Sequence, residues 1–319
     1  MIGLALYLAL EGLVLMGCKP DPQPPMRIGL DVWPGYEPLF LATRMGSLPP
    51  EEFRFVEFSN SSAVGRGFRN NALEAACLTM DEVFYALQDG MDPVVLIVLD
   101  ESCGADVLLA HKGINSLSEL KGKRIGVEIA AVETYTLTRA LQSVGLSVKD
   151  VIPVYLPIEK HLEAFQSGSV DAVVTYEPVR TKLLKAGAVD LFNSSKIPGE
   201  IVDVLVVRRD YLQNHPERGK LLQQSWFLAL AQMRRSPHES AKIMALREKV
   251  SSEEFETSLK GLHLPDQEES RLLLGGDTPK LMDSAERLKG IMKDSGLLQK
   301  ELTIRPLFTL PESMNSKPN

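Results

Sequence analysis

Cysteine is scarce in this chain: three in 319 residues, with no Cys-x-x-Cys and no Cys/His cluster. That excludes a disulfide framework and argues against a structural zinc site. Cys77 and Cys103 are expected as two buried free thiols, with a disulfide between them as the alternative. Aromatic residues are few, 6% with two tryptophans, and the 35 basic residues are outnumbered by 42 acidic ones. The resulting net charge of −7 argues against a nucleic-acid partner, which asks for a basic face. A Walker loop, a Gly-x-Ser-x-Gly elbow and an HExxH helix are all missing, so the motif-borne chemistries they carry are not expected. No cofactor and no metal is expected. Past the N-terminus, no apolar run approaches the roughly 20 residues of a membrane span.

What is present begins at the N-terminus. Residues 1–17 are almost wholly apolar and lead through Leu15-Met16-Gly17 to Cys18 and the polar run Lys19-Pro20-Asp21-Pro22-Gln23-Pro24-Pro25. An apolar segment closed by small residues reads as an export signal. Leu-x-Gly-Cys resembles a bacterial lipobox, which implies lipidation of Cys18, with 1–18 as signal peptide and lipobox and 19–25 as a semi-rigid spacer. A buried first helix is the competing reading, and the prolines oppose its continuation into a core. Glu11 and the lack of a basic residue before Lys19 point to a start codon upstream of Met1. The protein is then expected at the cell surface or in the periplasm, held to a membrane by Cys18.

The body, 44% hydrophobic and 24% charged, reads as alternating strands and helices. Strands are expected at 26–32, 53–58, 74–78 and 93–99, with helices at 37–45, 63–70 and 80–89. The β-branched run 93–99 suits a parallel strand buried on both faces. A second unit follows, with strands at 107–110, 124–127, 151–155 and 171–174 and helices at 116–120, 132–144, 159–166 and 178–185. After a strand at 201–207, helices are expected at 216–234, 237–247, 252–259 and 279–292. This pattern predicts an α/β fold of two doubly wound lobes with a helical C-terminal part. The first lobe spans 26–103 and 203–311, the second 104–202, and 312–319 is a disordered tail. Two crossings, near Glu101–Asp106 and Lys196–Asp203, would form the hinge.

Several segments carry a resemblance. Asp31-Val32-Trp33-Pro34-Gly35-Tyr36-Glu37-Pro38, Leu78-Thr79-Met80-Asp81-Glu82, Asp100-Glu101-Ser102-Cys103-Gly104-Ala105-Asp106, Leu120-Lys121-Gly122-Lys123-Arg124-Ile125-Gly126-Val127-Glu128 and Asp171-Ala172-Val173-Val174-Thr175-Tyr176-Glu177-Pro178 occur in this order. Together they resemble solute-binding proteins of the nitrate/taurine/sulfonate and thiamine-precursor ABC importer superfamily. The resemblance runs from about Arg27 to Asp210. It implies a bilobed periplasmic-binding-protein fold of type II that closes on a small solute as a monomer. The expected partners are an ABC permease and its ATPase subunit. The alternative is an enzyme on the same fold, resembling thiamine-pyrimidine synthases or menaquinone-pathway dehydratases.

Ligands of open α/β sheets sit beyond the carboxyl ends of the strands. The first lobe therefore offers Asp31, Trp33, Tyr36, Ser61, Ser62, Thr79, Asp81 and Glu82, and the first crossing Asp100, Glu101, Ser102 and Asp106. The second lobe offers Glu128, Thr134, Tyr135, Thr175, Tyr176 and Glu177, and the second crossing Asp203. Structural roles compete at several positions. Ser61 and Ser62 suit a helix cap, and Asp81 and Glu82 suit the positive end of a helix. Glu177 suits a helix start before Pro178, and Asp203 suits a tie for the crossing. Many of these groups are carboxylates and none is Arg or Lys, with Arg66 and Arg69 expected in solvent. The sign points to a neutral or cationic solute in preference to an anion.

Overall fold

The computed structural model describes residues 23–315. The lipobox with Cys18, all of the signal segment and the last four residues lie outside the described residues.

The first unit contains β1 (Met26–Leu30), α1 (Glu37–Arg44), β2 (Phe53–Glu57), α2 (Ser61–Arg69), β3 (Ala75–Thr79), α3 (Met80–Gln88) and β4 (Pro93–Ser102). The second contains β5 (Val107–Ala110), β6 (Arg124–Val127), α4 (Val132–Gln142), β7 (Ile152–Tyr155), α5 (His161–Gln166), β8 (Ala172–Thr175), α6 (Val179–Lys185) and β9 (Val189–Asn193). The chain then returns through β10 (Val202–Arg208) and α7 (Arg209–Asn214) to a helical part. That part holds α8 (Pro216–Arg235), α9 (Pro237–Glu248), α10 (Ser252–Leu259), β11 (Leu262–His263), α11 (Gln267–Leu274), α12 (Lys280–Asp294) and α13 (Glu312–Asn315).

Two sheets result, ordered β11-β4-β10-β3-β1-β2 and β7-β6-β8-β5-β9. β1 runs parallel to β2 and β3, and β6 parallel to β7 and β8. The helical part packs back on the first sheet, α8 and α9 against α1 and α12 against α3. Trp226 of α8 is fully buried there, and truncating such a side chain costs about 3–5 kcal/mol.

Several expectations are corrected. β4 is buried along nearly its whole length, but it pairs antiparallel with β10 and β11. Burial on both faces follows from its place inside the sheet, whatever the direction of its neighbours. β9, α7, β11 and α11 were not anticipated. The tail is ordered over its first four residues, where α13 packs on α7 and α8 with Met314 buried. Cys77 is buried on β3, but Cys103 is exposed in the first crossing, and both are free thiols.

Candidate functional site

The carboxyl ends of β1 and β3 and the start of α2 meet, from the other lobe, the start of α4 and the residue after β8. They enclose a cavity of about 20 Å³, room for about one water. The first lobe contributes Asp31, Trp33, Tyr36, Ser61, Thr79 and Asp203 to its wall. Asp106 comes from the first crossing, and Val132 and Tyr176 from the second lobe.

Three aromatic side chains of this wall each give their polar hydrogen to a carboxylate. Trp33 Nε1 donates to Asp100 Oδ2 at 3.0 Å, Tyr36 OH to Asp203 Oδ1 at 2.5 Å, and Tyr176 OH to Asp31 Oδ2 at 2.8 Å. The last bond joins the two lobes. Trp33 and Tyr176 also meet edge to face, 5.5 Å between centroids at 85°, a favoured aromatic geometry. The short 3-10 turn Pro34–Tyr36 sets this up. A Cβ on Gly35 would stand 1.8 Å from Asp100 Oδ2, so only glycine lets that carboxylate reach Trp33.

Around the cavity, carboxylates crowd together. Asp100 and Asp203 face each other across β4 and β10. Asp31, Asp81, Glu82, Asp106, Glu128 and Glu133 are also buried. Burial disfavours the charged form of each. It pushes Asp81 up to about 6, Asp106 to about 7 and Asp100 to about 8. It holds Glu82, Glu133 and Asp203 well above the usual carboxylate range, with neighbouring carboxylates adding to the shift. Among the described residues no three His, Cys, Asp or Glu groups converge as a metal site.

The helix N-termini that face the cleft already have carboxylates of their own. At α2, Glu128 Oε1 accepts from Ser62 N at 3.2 Å. At α3, Asp81 and Glu82 occupy the first turn, and Glu82 accepts from Thr79 N at 3.1 Å and from the Ser61 hydroxyl. At α4, Glu133 occupies the first turn. The positive ends of α2 and α3, of the kind that commonly hold anions, are thus met from within, while both carboxyl oxygens of Glu133 at α4 have no hydrogen-bond partner. The cap of α2 is Asn60, whose Oδ1 accepts from Ala63 N at 3.0 Å, so Ser61 and Ser62 are not its caps. Ser62 Oγ instead donates to Ile129 O of the other lobe at 2.9 Å.

The nearest cation lies behind the wall. Arg247 of α9 gives Nε to Glu37 Oε1 at 2.6 Å, Nη1 to Glu57 Oε2 at 2.5 Å and Nη2 to the Asp31 carbonyl at 3.3 Å. Its guanidinium also stacks 4.1 Å over the Phe40 ring. Arg66 is exposed, and Arg69 pairs with Asp89.

The two crossings are stitched together. Ser102 Oγ and Ser194 Oγ lie 2.8 Å apart, Gly104 N donates to Ser194 Oγ at 2.6 Å, and Ser194 N donates to Asp106 O at 2.9 Å. Gly104 has φ +125°, a conformation that favours glycine. Glu101 accepts from Gly199 N at 2.6 Å, which ties the same two segments farther out.

The NMT1-like family model matches residues 19–247 of this chain. The chain belongs to the NMT1-like family. A relative of this family member is the taurine-binding periplasmic protein of Escherichia coli, 24% identical over 73% of this chain and 76% of its own length. In structure it is similar to the alkanesulfonate-binding protein SsuA from Xanthomonas axonopodis pv. citri, with a TM-score of 0.73 at 19% identity, covering 87% of this chain and 95% of that one. The desulfurization enzyme DSZB has the same fold, with a TM-score of 0.66 at 16% identity over 92% and 98% of the two chains. These likenesses establish the periplasmic-binding-protein fold.

Within this NMT1-like chain, the cavity wall takes in Trp33, Tyr36, Ser61, Thr79, Asp106 and Asp203 of the expected residues, with Asp31 and Tyr176. Ser62, Asp81, Glu82, Asp100 and Glu128 stand directly behind. Glu101, Ser102, Thr134, Tyr135 and Glu177 are not brought to it. Glu101 and Ser102 serve the crossings. Thr134 Oγ1 bonds to Glu128 O at 2.8 Å, and Tyr135 OH bonds to Glu200 Oε2 at 2.5 Å. Glu177 accepts from Arg180 Nη1 and Thr181 N and so begins α6. Thr175 is fully buried on β8. Asp203 lies within β10, and the second crossing is already complete at Ile201. Val132 and Glu133 were not anticipated, although they are the first residues of a helix that was.

Proposed function

We propose that this chain is an extracytoplasmic, lipid-anchored solute-binding protein of an ABC importer. It captures a small organic solute between its lobes and delivers it to the permease, whose separate ATPase subunit drives release. The taurine relative is named as periplasmic and as a binding protein, which supports both the location and the role. Closure rests on contacts that span the cleft, such as Tyr176 with Asp31, and a ligand touching both walls would favour the closed state.

The solute is neutral or cationic. The observation that carries this is the pair of helix N-termini at α2 and α3, where carboxyl groups of this chain already accept backbone N–H bonds, with a further acid in the first turn of α4. An anion arriving there would meet acids. Taurine bears both an ammonium and a sulfonate, and only the ammonium has a counterpart in this wall.

The test is a thermal-shift screen of the purified chain across amines, pyrimidines, alkanesulfonates and nitrate, followed by calorimetry of the hits. Stoichiometric binding of an amine or neutral solute without turnover is the expected result. Tight binding of nitrate or an alkanesulfonate, with amines inert, sinks the charge assignment, and turnover of a bound solute favours an enzyme. Labelling with radioactive palmitate, compared with Cys18→Ser, tests the anchor.

A further inference from the structure

Trp33, Tyr36 and Tyr176 line the cavity, but their indole N–H and phenol groups are already given to Asp100, Asp203 and Asp31. With those hydrogens committed, what they have left to offer a guest is ring surface, which attracts cations, and phenol oxygens that can only accept. Beside them on the same wall is Asp106, only 3% exposed, whose Oδ2 has no hydrogen-bond partner. An unpaired buried carboxylate oxygen is costly, and here it borders the space a guest would occupy. The cavity, about 20 Å³ with the lobes in contact, has room for a polar head about the size of one water.

We propose that the solute carries a compact ammonium group, which seats against the rings of Trp33, Tyr36 and Tyr176 and beside the unpartnered oxygen of Asp106. The proposal rests on the solute-binding reading and sharpens it.

Seating the ammonium should drive protons out in exchange, which follows from what surrounds Asp106. α3 presents Asp81 and Glu82, the two central strands present Asp100 and Asp203, and α4 presents Glu133. Farther round are Asp31 and Glu128, with Glu57, Glu101 and Glu159 beyond them, and the Cys77 thiol and the Tyr36 and Tyr176 phenols between. The one cation acting on Asp31 is Arg247, already committed to Glu37 and Glu57. So many buried acids with no free cation among them cannot all ionise. Desolvation accordingly holds Asp106 at about 7 and Asp100 at about 8. An ammonium entering beside them stabilises their charged forms and drives protons out. No covalent step is involved: an N–H or N–CH₃ cation arrives and H⁺ leaves to the buffer.

The experiment is calorimetric titration of the full chain with methylammonium, ethanolamine, choline and putrescine, and separately with methanesulfonate, nitrate and a neutral pyrimidine. Each titration is run in two buffers of different ionisation heat, at about pH 6 and about pH 8. At least one ammonium probe should bind with proton release, its affinity rising by up to about tenfold per pH unit for each proton released. Asp106→Asn should weaken that probe by about tenfold or more and lower the proton count, while its melting temperature stays at or above that of the parent. Binding confined to an anion or the pyrimidine overturns the ammonium seat and leaves the solute-binding reading standing. Ammonium binding with no proton release overturns the exchange, and silence from every ammonium probe at the higher pH overturns the proposal.

Discussion

The phenol of Tyr176, after β8 of the second lobe, donates to Oδ2 of Asp31, after β1 of the first, at 2.8 Å. Both side chains are buried, so this bond draws its partners out of solvent only when the lobes are together. Tyr176→Phe removes the donor and leaves a buried acceptor unpaired, at a cost of about 1–3 kcal/mol to the closed form. Small-angle scattering of the ligand-free variant should show a larger radius of gyration with the melting cooperativity intact. An unchanged radius would mean that closure is held elsewhere.

Gly35→Ala should be among the most damaging small substitutions in the chain. The new methyl would stand 1.8 Å from Asp100 Oδ2 and 2.7 Å from Trp33 Nε1. Either the 3-10 turn or the carboxylate must move, at about 1–3 kcal/mol for overpacking. Urea denaturation reads the loss, and weakened solute binding should accompany it.

Arg247→Ala strands Glu37, which is fully buried and has a second oxygen already without a partner. Breaking such a pair costs about 3–5 kcal/mol. Burial already lifts Glu37 to about 7 against the pull of Arg247, and without that pull it should rise further. Arg247→Lys should recover only part of the stability, because one ammonium cannot serve Glu37, Glu57, the Asp31 carbonyl and the Phe40 ring together. Chemical denaturation of the two variants side by side checks the order.

Stability should fall as pH rises. Asp81, Asp106 and Asp100 have folded-state values of about 6, 7 and 8, raised by burial above the ordinary 3.8. The native state therefore holds protons that the unfolded chain has released. The penalty for ionising these groups sets in above the unfolded value and is complete once pH passes the folded values. Urea midpoints followed from about pH 5.5 to about pH 8.5 should decline, and Asp100→Asn should flatten the decline. A flat profile in the parent would show that the cluster is ionised throughout.

Much of this architecture is legible in the sequence because burial and period are local properties. The apolar stretch that became β4 announces a strand buried on both faces, and the helices that end at glycine punctuate themselves. Direction is not local: β4 lies antiparallel to β10 because the chain returns from the second lobe, a matter settled some hundred residues later. β9 is not legible in sequence because its five residues are mostly half exposed at a sheet edge, which blurs the alternation. α11 did carry a signal, since Asp266 and Glu269 form a capping box before Arg271. In the site, residue type and position after a strand found most of the wall. Tyr135 and Thr134 were misplaced because neighbouring residues on a helix point in different directions, and only packing decides which one faces the cleft. Val132, two positions before Thr134, is the residue of α4 that lines the cavity.

The serine pair at the crossings has a consequence for how a solute enters. With Ser102 and Ser194 joined, the two connecting segments should turn together as one axle when the lobes part. Trp33 and Tyr176, which touch edge to face across the lobes, would be the pair that has to part first for any guest to enter. Entry is thus coupled to the loss of one aromatic contact and of the Tyr176–Asp31 bond beside it, a toll that every solute meets alike.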